Sequence, residues 1–202
     1  MLPMQYNRIE ADLREDAWYF GFYLGNSTLL AFYHDADIFD EDYAEFLLAN
    51  RHVFAASFAV FSNNCLTPHP SDQSALTRAA TWVAQSMLPT VACNYPIEPW
   101  ELAPASQDRT FNAAFQHFGQ ALALGTLPTQ IIQNHDYFPH VFNGGSFLEQ
   151  VIMVFVNNLL VDADGLVVNE QAALERATWC LLRWIDRSVV LDPPITPWEI
   201  NC

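Results

Sequence analysis

Residues 95–102 read YPIEPWEL and residues 193–200 read PPITPWEI. A Pro-x-x-Pro-Trp-Glu signature that recurs once per half marks an internal duplication, and a repeat of this kind decides the architecture before any single element is assigned. Aligning the two motifs pairs Pro96 with Pro194, Ile97 with Ile195, Pro99 with Pro197, Trp100 with Trp198 and Glu101 with Glu199. The same register pairs Leu76 with Leu174, Arg78 with Arg176, Phe20–Gly21 with Phe118–Gly119, and Leu24 with Leu122. Between these blocks it slips, so that Val60–Phe61 faces Val154–Phe155 and Asn63–Asn64 faces Asn157–Asn158. Two loop-length changes of opposite sign account for the slip, and both fall in turn-rich stretches.

The expected fold is therefore all-α: two pseudo-symmetric three-helix units, residues 1–105 and 106–202, each closed by its proline-tryptophan-glutamate tail. Units of about 100 residues are an ordinary domain size. In the first unit Leu13, Ala17, Phe20 and Leu24 recur at helical spacing, followed by Phe54, Phe58, Phe61 and Cys65, then Leu76, Ala80, Val83 and Met87. The second unit repeats this with Phe111, Phe115, Phe118 and Leu122, then Leu148, Val151, Ile152, Phe155 and Leu159, then Leu174, Ala177 and Leu181. Ser71 or Asp72, and Asn169, are expected to cap the third helices. Ser146-x-x-Glu149 reads as a capping box, and the paired asparagines as helix ends, since Asn tolerates left-handed backbone. Residues 159–168 are the one strand-like candidate, a hairpin around Asp162-Ala-Asp-Gly165. Proline fixes φ and extends its predecessor, so the tails cannot be helical, and their tryptophans are expected to plug the core.

Composition is 51% hydrophobic and 14% aromatic, enough for a sizeable core, with a formal net charge of −15 from 23 acids and eight bases. Every base is an arginine. Such a surface repels nucleic acid and anionic membranes, which require a basic footprint, and attracts basic partners. The four cysteines, Cys65, Cys93, Cys180 and Cys202, have no zinc spacing. No apolar leader opens the sequence, and no apolar run approaches bilayer length. A cytoplasmic location is expected.

Chemistry-bearing motifs are sparse. His34–Asp35 and His135–Asp136 suggest a metal phosphohydrolase, but the neighbouring helices lack the further ligands it needs. Asp162-x-Asp164-Gly165 opens like a calcium loop without completing one. No phosphate-binding glycine loop or nucleophile motif is present, so neither a metal, a cofactor nor a catalytic residue is assigned. The residues that stand out are Asp35, Asp37, Phe39, Asp40, Glu41, Asp42, Tyr43 and Glu45, an acidic-aromatic segment within residues 34–45. The corresponding stretch of the second unit holds only Asp136. Aromatic anchors among charges suit a protein contact surface.

The combination of a Phe-Gly helix, a Val-Phe-x-Asn-Asn helix, an arginine-bearing third helix and a closing Pro-Trp-Glu resembles a family of small uncharacterised bacterial proteins of single-unit length. The resemblance carries no catalytic residue. The function expected from these features is a non-enzymatic acidic protein that inhibits a basic protein partner, most simply an immunity protein occluding the active site of a cognate bacterial toxin. The alternative is a phage or mobile-element protein that mimics nucleic acid to block a DNA-binding defence enzyme.

Overall fold

A computed structural model describes residues 12–25, 49–66, 73–88, 94–105, 111–126, 146–161, 169–185 and 190–201. Among them every regular element is helical: α1 (residues 12–25), α2 (Arg51–Leu66), α3 (Ala75–Met87), a 3₁₀ turn (Pro99–Leu102), α4 (Phe111–Gln120), α5 (Ser146–Val161), α6 (Glu170–Ile185) and the single turn α7 (Pro197–Ile200). A π-helical stretch, Ala121–Thr126, prolongs α4. The N-cap of α3 is Ser74, two residues beyond the expected Asp72, and its hydroxyl accepts the Thr77 N–H at 3.2 Å. Asn169 caps α6 as expected, accepting the Ala172 N–H. Leu159, Leu160 and Val161 form the last turn of α5 and not a strand.

Buried side chains from both halves form one cluster, dominated by Phe20, Phe58, Phe61, Phe115, Phe118 and Phe155. The rings interlock: Phe118 stacks on Phe155 at 4.1 Å, Phe20 on Phe61 at 4.5 Å, and Phe58 meets Phe20 edge-on. Offset and edge-to-face pairs of this kind add to simple area burial. The α3 stripe is Ala75, Ala79, Val83 and Met87, while Leu76 and Ala80 lie at its margin.

The first helix of each half packs closely on the second helix of the other. A β-carbon added to Gly21 on α1 would lie 2.8 Å from Glu149 Cα and 3.1 Å from Ile152 Cδ1 on α5. One added to Gly119 on α4 would lie 2.6 Å from Phe58 Cβ on α2. Here glycine is required by close approach, since no real Cβ could occupy either place. Polar contacts follow the same exchange. Arg14 Nε donates to Asn157 Oδ1 at 3.0 Å, Gln116 Nε2 donates to Asn63 Oδ1 at 3.1 Å, and the Trp18 indole donates to Glu149. Helices α1, α2, α4 and α5 thus form a central layer, with α3 beside α2 and α6 beside α5.

Candidate functional site

The most elaborate polar arrangement among the described residues is a clamp that fastens the first tail to α2 and α3. Contrary to the expectation that the tails cannot be helical, Pro99 opens the 3₁₀ turn and Pro197 opens α7, because proline's missing N–H costs nothing at the first helical position. Glu101 then reaches back two ways. Its Oε2 accepts the Glu98 N–H at 2.8 Å and Arg78 Nη2 at 2.5 Å, and its Oε1 accepts Arg78 Nε at 2.7 Å and Asn64 Nδ2 at 2.9 Å. Arg78 has five N–H donors. The remaining three reach Gln73 Oε1, Tyr95 O and Pro96 O. Asn63 Nδ2 holds the turn from outside, donating to the carbonyls of Trp100, Glu101 and Ala103.

The second tail repeats most of these bonds. Arg176 grips Glu199 through Nε at 2.8 Å and Nη2 at 2.6 Å and donates to the carbonyls of Pro193 and Pro194. Asn158 Nδ2 donates to Glu199 Oε1 at 2.9 Å, and the Thr196 N–H and hydroxyl donate to Oε2, each at 2.8 Å. Asn157 Nδ2 donates to the carbonyls of Trp198, Glu199 and Asn201. The differences are the added Thr196 hydroxyl bond, Gln171, which in the place of Gln73 bonds Glu175 instead, and the Arg176 guanidinium lying over the Trp179 ring. Arg176 is accordingly the more exposed of the two arginines.

Burial opposes ionisation of Glu199, but the bonds from Arg176, the Thr196 N–H, Asn158 and the Thr196 hydroxyl outweigh it and hold its carboxyl at about 2. For Glu101 the same balance of burial against Arg78, Glu98 and Asn64 also lowers the carboxyl. A carboxylate so far below neutrality, with its lone pairs occupied, is a poor proton acceptor. The clamps are structural. They also correct two expectations. Trp198 is 49% exposed and Trp100 half-buried, so the tails are anchored by buried glutamates and not by indoles plugging the core. The paired asparagines act through their side chains, not as helix ends.

The acidic-aromatic residues Asp35, Asp37, Phe39, Asp40, Glu41, Asp42, Tyr43 and Glu45 lie outside the described residues, as do both His-Asp dipeptides and the Asp162–Gly165 turn. Among the described residues no group of His, Cys, Asp and Glu could hold a metal ion. Burial pushes the Cys65 and Cys180 thiols up, the latter to about 12, which leaves both unreactive at neutral pH. A cavity of about 10 Å³ between α1 and α3 is lined by Phe20, Tyr23, Leu24, Ala79 and Val83 among others, a mostly apolar space with room for about one water. A cleft of about 440 Å³ beside α7 is walled by Arg183, Val190, Leu191, Pro194 and Ile195, none of them a nucleophile or general base.

Sequence reasoning missed the outer face of α1. Positions 12, 15, 16, 19 and 23 fall on one side of a helix, and there they are Asp12, Glu15, Asp16, Tyr19 and Tyr23, all exposed. Burial, then the charges of Glu15 and Asp12, raise the Asp16 carboxyl. Behind the tyrosines Trp18 stacks parallel to Phe22 at 6.0 Å. The signal available was the mismatch at equivalent places in α4, where Ala113, Ala114, His117 and Ala121 stand.

No helix among the described residues is long and apolar enough to cross a membrane. No curated protein and no solved structure matches the chain. A family model described as a domain of unknown function (DUF7677) matches residues 107–202, and so the likeness to an uncharacterised family rests on the second half of the chain.

Proposed function

We propose that this chain is a non-enzymatic acidic binding protein that inhibits a basic protein partner, as an immunity protein does when it covers the active site of a bacterial toxin. The observation that carries the reading is how the charge is distributed. Taking Glu101 and Glu199 from the 23 acids, and Arg78 and Arg176 from the eight arginines, leaves 21 against six for everything outside the clamps. A quarter of the positive charge is thus enclosed in the fold. What faces a partner is more one-sided than composition suggests, and a surface of one sign speeds encounter with its opposite.

The matched clamps and the matched glycines support a second element of the reading, that the chain arose by internal duplication of a three-helix unit. Residues 34–45 are the proposed contact segment. The test is co-expression with a panel of basic bacterial toxin domains, followed by binding kinetics of any purified pair at two salt concentrations. Restored growth is expected, with association that slows as salt rises and slows again in the Asp40→Asn, Glu41→Gln, Asp42→Asn triple variant. Absence of both protection and association would overturn the proposal.

A further inference from the structure

The outer face of α1 exposes more aromatic and acidic surface than packing uses: Tyr19 and Tyr23 rest edge-on against Trp18 and Phe22, and Tyr23 also lines the small cavity against α3, yet both rings stay open to solvent. Its inner face, Ala17, Phe20, Gly21 and Leu24, is buried. On the outer face Tyr19 and Tyr23, one helical turn apart, are 39% and 46% exposed, with the three acids in the turns before them. Exposed aromatics grouped on one face are uncommon without a partner. The pseudo-symmetric helix α4 shows that the scaffold does not demand them. Where α1 has Tyr19 and Tyr23, α4 has His117 and Ala121, and where α1 has Glu15 and Asp16, α4 has the buried Ala113 and Ala114. The two helices otherwise keep the same Phe-Gly core positions.

We infer that the Asp12–Tyr23 face of α1 is a docking surface for an arginine-bearing segment of a protein partner. This rests on the reading of the chain as a binder of basic proteins, and it places a contact outside residues 34–45. Charge complementarity selects the occupant. Asp12, Glu15 and Asp16 repel one another, and a cation laid among them relieves that repulsion. The tyrosine rings in the following turns offer π-faces to a guanidinium, whose flat, weakly hydrated group stacks on aromatic rings better than an ammonium does. Trp18 and Phe22, stacked on each other, edge the ring array with further aromatic surface. Acids alone would attract any base, whereas acids followed by tyrosines at helical spacing favour arginine over lysine.

The test is calorimetric titration of the full chain with an oligo-arginine peptide, with oligo-lysine and oligo-glutamate for comparison, at near-physiological salt. Tyr19→His with Tyr23→Ala removes both phenol rings, installs the residue types that the second half carries at those positions and leaves formal charge unchanged, while Tyr19→His alone keeps the Tyr23 wall of the α1–α3 cavity and so separates loss of the face from loss of packing. The expected results are preference for oligo-arginine, affinity about tenfold weaker in the double variant and weakened in Tyr19→His, and an unchanged melting temperature for Tyr19→His. The Asp12→Asn, Glu15→Gln, Asp16→Asn variant is expected to bind more weakly and with a flatter salt dependence. Equal binding by wild type and the Tyr19/Tyr23 variant would overturn the α1 surface while leaving the basic-partner reading intact. So would loss of affinity confined to the Asp40, Glu41, Asp42 variant. Failure of the wild type to prefer oligo-arginine to oligo-glutamate would overturn both. Dimerisation of the chain abolished by the tyrosine substitutions would assign the face to a second copy and equally overturn the proposal.

Discussion

Arg78 and Glu101, on α3 and the first tail, form an ion pair with no solvent exposure on either side, and its two bonds measure 2.7 and 2.5 Å. A buried pair of this kind contributes little over a well-packed apolar substitute, because desolvation offsets the attraction. Breaking it is another matter, since the surviving charge is stranded. Arg78→Met is expected to cost about 3–5 kcal/mol, read from urea unfolding. Arg176→Met should cost less, because the Arg176 side chain retains 15% exposure and water can reach what is left. Equal losses at the two positions would show that solvent access does not grade the clamps.

The tails make a second contrast. Trp198→Ala is expected to cost about 1 kcal/mol, as befits a side chain half in water. Asn157→Ala should cost about 2–3 kcal/mol, since it strands the carbonyls of Trp198, Glu199 and Asn201 and the Arg14 bond together. Denaturant melts of the two variants side by side decide which residue anchors the tail.

Stability should pass through a maximum on the acid side of neutrality. Glu199 ionises near 2 in the fold against an ordinary 4.5, so its contribution is complete above 4.5 and drains away as pH falls towards about 2. Glu101 acts in the same direction. Asp16 and Glu149 act oppositely. Burial raises both, with neighbouring acids adding at Asp16 and the Trp18 bond opposing at Glu149, so each destabilises the fold when charged and is relieved as pH drops through its raised value. Urea unfolding across a pH series is expected to show a shallow rise below neutrality and then a steep fall beneath 4.5. Glu199→Gln should flatten the steep limb.

The exchanged helices yield the fourth prediction. Gly21→Ala and Gly119→Ala each place a methyl inside 3.0 Å of Glu149 Cα or of the Phe58 ring root. Alanine's better helix propensity returns at most about 1 kcal/mol, and overpacking costs about 1–3 kcal/mol. Net destabilisation is expected in thermal melts, and Phe58→Leu should not rescue Gly119→Ala, because leucine keeps the Cβ and Cγ that the new methyl meets.

The helices were legible because a 3.6-residue period needs only local sequence, and Phe54, Phe58 and Phe61 or Val151, Ile152 and Phe155 display it openly. The role of the tail was misread because tryptophan is the largest apolar residue in Pro-Trp-Glu, and size is a poor guide where a polar network can be completed. The trace lay in residues that recur in both halves without an apolar reason: Arg78 with Arg176, Asn63 with Asn157, Glu101 with Glu199. Contacts between the halves leave almost no periodic signature. Only the paired Gly21 and Gly119 hinted at them, since a glycine inside a helix is retained where something comes close. The α1 face was hidden for a different reason. The period marks only Leu13, Ala17, Phe20 and Leu24, and tyrosine, amphipathic as it is, does not declare from sequence whether its face is covered.

Because α1 and α4 each complete the other half's packing within one polypeptide, docking of one half of the chain on the other is a first-order event. Its midpoint does not move with protein concentration, as that of a two-chain assembly must. The covalent link has a further effect on how the molecule can change. In a dimer of identical chains every substitution appears twice, and a face gained on one side is gained on the other. Here Tyr19 can vary while His117 does not. One molecule can therefore keep a matched pair of clamps for its architecture and present a single, unpaired face to the outside.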